Sequence, residues 1–136
     1  MPTEASSRGV RDPLRVPSSI GRRAEGLAAA HLEAAGLRIV ARNWRQPAGE
    51  LDIVADDRGT CVFVEVRSRT GEDRGHALEA ITPRKRARVI RAARLYLDAE
   101  TPRAGGYRFD VVAVTFWDDG RQPDVVHVPN AFELVG

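Results

Sequence analysis

Four charged side chains on two neighbouring β-rich runs are the residues best placed to do chemistry in this sequence. The runs span residues 50–55 and 61–67. Between them lies Asp56-Asp57-Arg58-Gly59-Thr60, an Asp/Gly turn of the kind that joins an antiparallel hairpin. Strand alternation places Glu50, Asp52 and Val54 on one face of the first run, with Leu51, Ile53 and Ala55 opposite. In the second run Phe63, Glu65 and Arg67 share a face. With a four-residue turn over 57–60, Asp52 falls across from Glu65 and Glu50 across from Arg67. Opposed side chains sit roughly 5 Å apart at Cβ, so two carboxylates there repel. A cation between them removes the conflict, and oxygen donors with no His or Cys beside them suit Mg²⁺ or Mn²⁺ better than Zn²⁺. An ion held by one or two carboxylates keeps positions open for water and a phosphate oxygen, with Arg67 at hand for the phosphate. The competing arrangement is a solvent-facing hairpin in which these charges form cross-strand ion pairs, Glu50 with Arg67 among them.

The elements that position the hairpin follow from periodicity and punctuation. Ser18 or Ser19 caps a helix running to about residue 35, with Ile20, Ala24, Leu27, Ala28, His31, Leu32 and Ala35 as its apolar stripe. Arg22, Arg23 and Glu33 face away, and Gly36 ends the helix. A strand over 37–44 and a Pro47-Ala48-Gly49 turn lead into the hairpin. A polar loop, 68–78, holds His76. Thr82 and Pro83 then read as N-cap and first residue of a second helix ending near residue 97. Strands over 108–116 and 125–128 complete the order α-β-β-β-α-β-β, an α/β fold with a mixed β-sheet flanked by helices.

The second helix is the candidate partner surface. Arg84, Arg88 and Arg91 recur at i, i+4 and i+7, beside Lys85 and Arg94, and Val89, Ile90, Ala93 and Leu97 cover the other side. Six basic residues fall between Thr82 and Arg94 with no acid among them, whereas the whole chain carries only +2. Such a stripe attracts phosphate backbones irrespective of sequence, and Arg69 extends its track. A plain solvated helix face, or an adaptor surface for an acidic protein, uses the same charges. No zinc-finger spacing, RNA-recognition signature or base-reading helix is present.

Bulk properties set the frame. With 136 residues, 43% hydrophobic and 29% charged, the chain suits one domain over 19–136 behind a Pro/Ser/Gly-rich mobile tail, 1–18. Cys61 is the only cysteine, which excludes an internal disulfide and a thiolate metal cage; it reads as a small buried apolar group. No apolar leader or membrane-length run is seen, so the expected location is cytoplasmic. His31, His127, Trp44 and Trp117 read as packing residues, and Asp110 as a structural acid holding Arg108 or a neighbouring strand.

GELDIVA (49–55), a short turn and VFVEVRSR (62–69) together resemble the PD-(D/E)xK nuclease core, an Asp and a Glu-x-Lys on adjacent strands. The stretch 20–115 as a whole is similar to the YraN-like family of small bacterial proteins. The likeness includes GRRAEGLAAAHLEAAG (21–36), AITPRKRARVIRAARLYL (80–97) and RFDVV (108–112). This resemblance implies a restriction-endonuclease-like three-layer core related to Holliday-junction resolvases. Asp52 and Glu65 match its metal carboxylates and Glu25 its first-helix acid, a position that falls on the flank of the apolar stripe. Arg67 stands where Lys is commoner. Arg keeps the electrostatic role and gives up any general-base role. The implied activity is metal-dependent cleavage of DNA, branched or flapped structures included, with Glu25, Asp52, Glu65 and Arg67 as catalytic residues. A weak or inactive nucleic-acid-binding protein on the same fold is the alternative. A homodimer is a further expectation, since related nucleases that cut both strands dimerise.

Overall fold

The computed structural model describes residues 19–71 and 81–132. The expected tail over 1–18 and the loop carrying His76 lie outside them. The elements are α1 (Ser19–Ala34), β1 (Arg38–Gln46), β2 (Gly49–Asp57), β3 (Thr60–Thr70), α2 (Pro83–Glu100), β4 (Gly106–Phe116) and β5 (Asp124–Phe132). Their order is the one expected from the sequence. They build a five-stranded sheet, β1-β2-β3-β4-β5, antiparallel except for the parallel pair β3–β4. That pair needs a crossover, and α2 lies within it.

Local chemistry sets the boundaries. Gly36, at φ 99°, ends α1 with Leu37 N–H donating to Leu32 C=O and Gly36 N–H to Glu33 C=O, each at 3.0 Å. Thr82 caps α2 by accepting the Lys85 N–H at 3.1 Å, and Pro83 follows where no N–H is needed. The β2–β3 turn is shorter than the four residues expected. Arg58 and Gly59, both at positive φ, form a two-residue hairpin turn, and Asp57 pairs with Thr60. Asp56 still faces Cys61, so the register is the expected one.

The sheet is covered on both faces. On one side Ala24, Ala28, Ala29 and Leu32 of α1 pack on Ile53, Ala55, Val62, Val64, Val112 and Val114. On the other, Val89, Ala92, Ala93 and Tyr96 of α2 pack on Leu51, Val54, Phe63, Phe109 and Val111. Trp44 joins the second cluster edge-on to Tyr96, in the packing role expected of it, and Cys61 is buried there. Gly49 lies directly beneath α2. A Cβ on it would meet Ala92 Cβ at 3.2 Å and the Arg88 carbonyl at 3.3 Å, so the small residue permits the close approach.

Two expectations about faces are corrected. Ile20, His31 and Ala35 are exposed, because the short Ala24-Ala28-Leu32 ridge already brings α1 down onto the sheet. Arg23 is exposed as expected, with its guanidinium over the Phe116 ring at 5.0 Å. Leu51 packs on the α2 side with Val54 rather than with Ile53 and Ala55. Strand alternation therefore breaks at Asp52, between them. Among the described residues no helix is long and apolar enough to cross a membrane.

Candidate active site

The break at Asp52 makes the site. Pairing between β2 and β3 runs from Asp57–Thr60 to Ile53–Val64 and stops there. One residue further, the Asp52 carboxylate rather than a strand carbonyl accepts the Val66 N–H, at 2.9 Å. The strands part, and a cavity of about 440 Å³ occupies the fork. Both helices reach it: Gly21, Ala24 and Glu25 from α1, Lys85, Arg88 and Val89 from α2. Asn43 and Arg45 of β1, Gly49, Glu50 and Asp52 of β2, and Val66, Arg67 and Ser68 of β3 line it with Glu65.

Glu65 is one of two buried charged residues among those described, at 8% exposure. Asp52 and Glu65 stand close enough to share a hydrogen bond, which would require one of the two to carry a proton. Burial, then the Glu65 charge, pushes Asp52 up to about 8, against the Val66 N–H that favours its ionised form. Glu65 is also raised, by burial above all, with Lys85 and Arg67 pulling the other way. Glu25 is raised by burial and by Asp52, and opposed by a hydrogen bond from Asn43. The pair thus shares a proton near neutrality and is a natural seat for a cation.

The basic groups lie further out. Lys85 Nζ and Arg67 Nη1 stand 3.8 and 3.9 Å from the same oxygen, Glu65 Oε2, within ion-pair range but beyond hydrogen bonds. Arg67 Nε is buried with no acceptor. Arg45 pairs with Glu50 at 3.5 Å, which replaces the expected Glu50–Arg67 pair, because the fork carries Arg67 away while β1 stays paired to β2. An acidic floor under a basic rim suits a hard cation below and a phosphate above. Among the described residues no three His, Cys, Asp or Glu side chains converge into a ready-made metal cage. The donors present are carboxylates, which fit a hard divalent ion.

Residues 24–114 match the family described as uncharacterised protein family UPF0102. The chain is 43% identical to a UPF0102 protein of Prosthecochloris aestuarii, across 86% of this chain and 95% of that one. It is 46% identical to one of Clavibacter michiganensis, across 82% and 94%. With one of Stutzerimonas stutzeri the identity is 47%, across 85% and 95%.

The chain belongs to the UPF0102 family. The stretch matching UPF0102 contains every acidic and basic residue of the cavity wall. Of the residues singled out in the sequence, Glu25, Asp52, Glu65 and Arg67 come together in the cavity, with Glu50 beside them. Lys85 and Arg88 line it too, while Arg84 and Arg91 are exposed on α2 outside it, and Arg69 lies two residues beyond Arg67 without lining it.

Asn43 and Arg45 were missed in this UPF0102 sequence. The signal was register: Arg42–Ile53 and Trp44–Leu51 bracket Asn43 against Asp52, and Arg45 faces Glu50. Asn43 also has φ 54°, a backbone state that Asn tolerates better than most residues.

Proposed function

We propose that this chain is a cytoplasmic, Mg²⁺- or Mn²⁺-dependent endonuclease on a restriction-endonuclease-like core, hydrolysing phosphodiester bonds of DNA, branched or flapped forms included. The observation that carries the reading is the Asp52–Glu65 pair, two carboxyls forced together in a cavity rimmed by cations. A divalent ion supplies Lewis acidity toward the phosphate and a more acidic bound water.

Asp52 and Glu65 would hold the ion, with Asp52 oriented by the Val66 N–H and Glu25 contributing through water. Arg67 would stabilise charge developing on the phosphate oxygens. Water oxygen bonds to phosphorus, the bond to the departing sugar oxygen breaks, and that oxygen leaves protonated. Arg84, Arg88 and Arg91 would hold the flanking backbone through charge. Cutting both strands of a duplex takes two such sites, hence a homodimer, which sedimentation would reveal.

The test is cleavage of labelled single-stranded, duplex, flap and four-way DNA, and of RNA, by wild type and Asp52→Ala, with and without Mn²⁺. Metal-dependent cleavage by wild type alone supports the reading; equal cleavage by both variants sinks the assignment of Asp52. The second reading, a DNA-binding protein that has lost turnover, is favoured by Arg67 in the position of the motif's Lys. It predicts salt-sensitive binding with no cleavage in any metal.

A further inference from the structure

Arg67 leaves the hairpin without the compact ammonium that the sequence resemblance leads one to expect beside Glu65. The other element facing that carboxylate supplies one. Lys85, the third residue of α2, places Nζ 3.8 Å from Glu65 Oε2, the oxygen that Arg67 Nη1 also approaches. We propose that Lys85 is a catalytic residue whose ammonium contacts the scissile phosphate, taking over from a different element the role of the motif lysine. This rests on the nuclease reading of the site.

Three features of the fold aim Lys85 there. Its backbone N–H is fixed by Thr82 Oγ1 at 3.1 Å, so the first turn of α2 has a defined start. Gly49 lets α2 seat against β2 by its Arg88–Ala92 turn, one turn beyond Lys85. That first turn contains no acid, so nothing on the helix itself draws the ammonium off.

Lys85 is also better suited to the contact than Arg67. The Arg67 Nε is buried without an acceptor, so part of its planar donor fork cannot reach an entering ligand, whereas the Lys85 charge sits wholly at the end of a one-third-exposed side chain. Among the described residues its one charged partner is Glu65, at a distance too long for a hydrogen bond. All three of its N–H donors are therefore available to an anionic oxygen entering the cavity. Of the described basic residues of α2, Lys85 and Arg88 line the cavity while Arg84 does not, and Lys85 is the one within ion-pair range of Glu65.

The experiment compares wild type, Lys85→Met, Lys85→Arg and a charge-matched control far from the cavity, Arg121→Met. Its two measurements are single-turnover cleavage at saturating DNA with Mn²⁺, and calorimetric Mn²⁺ binding without DNA. Lys85→Met is expected to lose about 100-fold in rate, the scale of one preorganised charge contact, while binding Mn²⁺ as tightly as wild type or more so. Lys85→Arg should regain part of the rate, and Arg121→Met should match wild type. A Lys85→Met rate within about threefold of wild type overturns the proposal, as does a parallel loss of Mn²⁺ affinity, which would make the residue structural. Wild type that neither takes Mn²⁺ nor cleaves overturns the underlying nuclease reading instead. Where wild type takes Mn²⁺ and DNA without cutting, the contact is read as the gain in DNA affinity that Mn²⁺ brings. Loss of that gain in Lys85→Met supports the phosphate contact, and an unchanged gain overturns it.

Discussion

Asp110 and Asp52 both sit where the sheet ladder fails, and both accept a backbone N–H that no strand carbonyl receives. Asp110 lies opposite an irregularity between β4 and β5, and takes the Asn130 N–H at 2.9 Å. Asp52 lies at the fork of β2 and β3 and takes the Val66 N–H, also at 2.9 Å. Their remaining partners are opposite in kind. Asp110, wholly buried, receives Arg108 Nε and Nη2 at 3.0 and 3.2 Å and lies 2.7 Å from His127 Nε2. Arg108 in turn donates to Asp57 at 2.9 Å, tying β2 to β4 across the intervening strand. Asp52 instead faces a second carboxyl and has Glu25 and Glu50 nearby. A buried acid whose oxygens are satisfied from within is a structural fastening. One whose nearest neighbours are other acids is arranged for something that comes from outside.

The largest expected effect tests that contrast directly. Asp52→Ala should lower cleavage by about 10³-fold or more, as loss of a principal charge-stabilising group does, while thermal unfolding stays cooperative. Asp110→Ala should cost about 3–5 kcal/mol of stability, the usual penalty for stranding the partners of a buried ion pair, measured by urea unfolding. If Asp110→Ala is as stable as wild type, the structural half of the comparison fails.

The pH dependence of stability sharpens the other half. Between about pH 4, where an unfolded Asp loses its proton, and about pH 8, the folded protein retains a proton on Asp52 that the unfolded chain has released. Raising the pH through this window therefore favours unfolding. Metal-free protein should lose stability as pH climbs toward 8, Asp52→Asn should flatten the curve, and Mn²⁺ should restore stability at the alkaline end. A wild-type curve that rises over the same range would contradict the proton-sharing pair.

A smaller effect concerns the rim. Replacing Arg84, Arg88 and Arg91 together with Gln should make the slope of log affinity against log salt shallower by about 2.7 for duplex DNA, if each meets one phosphate. An unchanged slope moves the DNA path off α2. The smallest effect is steric: Gly49→Ala should cost about 1 kcal/mol by crowding α2, and slow cleavage by shifting Lys85, both measurable against the Asp52 variant.

Much of this is legible in the amino-acid sequence. Element order follows from Gly36, the Thr82-Pro83 cap and the Asp/Gly turn, whose effects are local and carried by one or two residues. The register that sets Asp52 toward Glu65 survived an error in turn length, because adding Asp57–Thr60 to the ladder leaves every earlier pair in place. Asp110, by its place in RFDVV, reads as a structural acid for Arg108 or a neighbouring strand, and it serves both. Less legible was the exposure of Ile20 and His31, since a helical stripe shows which face is apolar but not how much of its length the sheet will cover.

What the sequence determined by itself, then, is the set of elements, the pairing of the hairpin and the identity of the acids, all of them consequences of neighbours close along the chain. Only the tertiary structure decided where the sheet opens, that Leu51 turns to the α2 side, and that Asn43, Arg45 and Lys85 join the acids. Each depends on strands and helices packed from distant parts of the chain, as when Gly49 admits α2 and α2 brings an ammonium to Glu65. Local propensity carries no term for such contacts, and their energies come into being only when the layers close on one another.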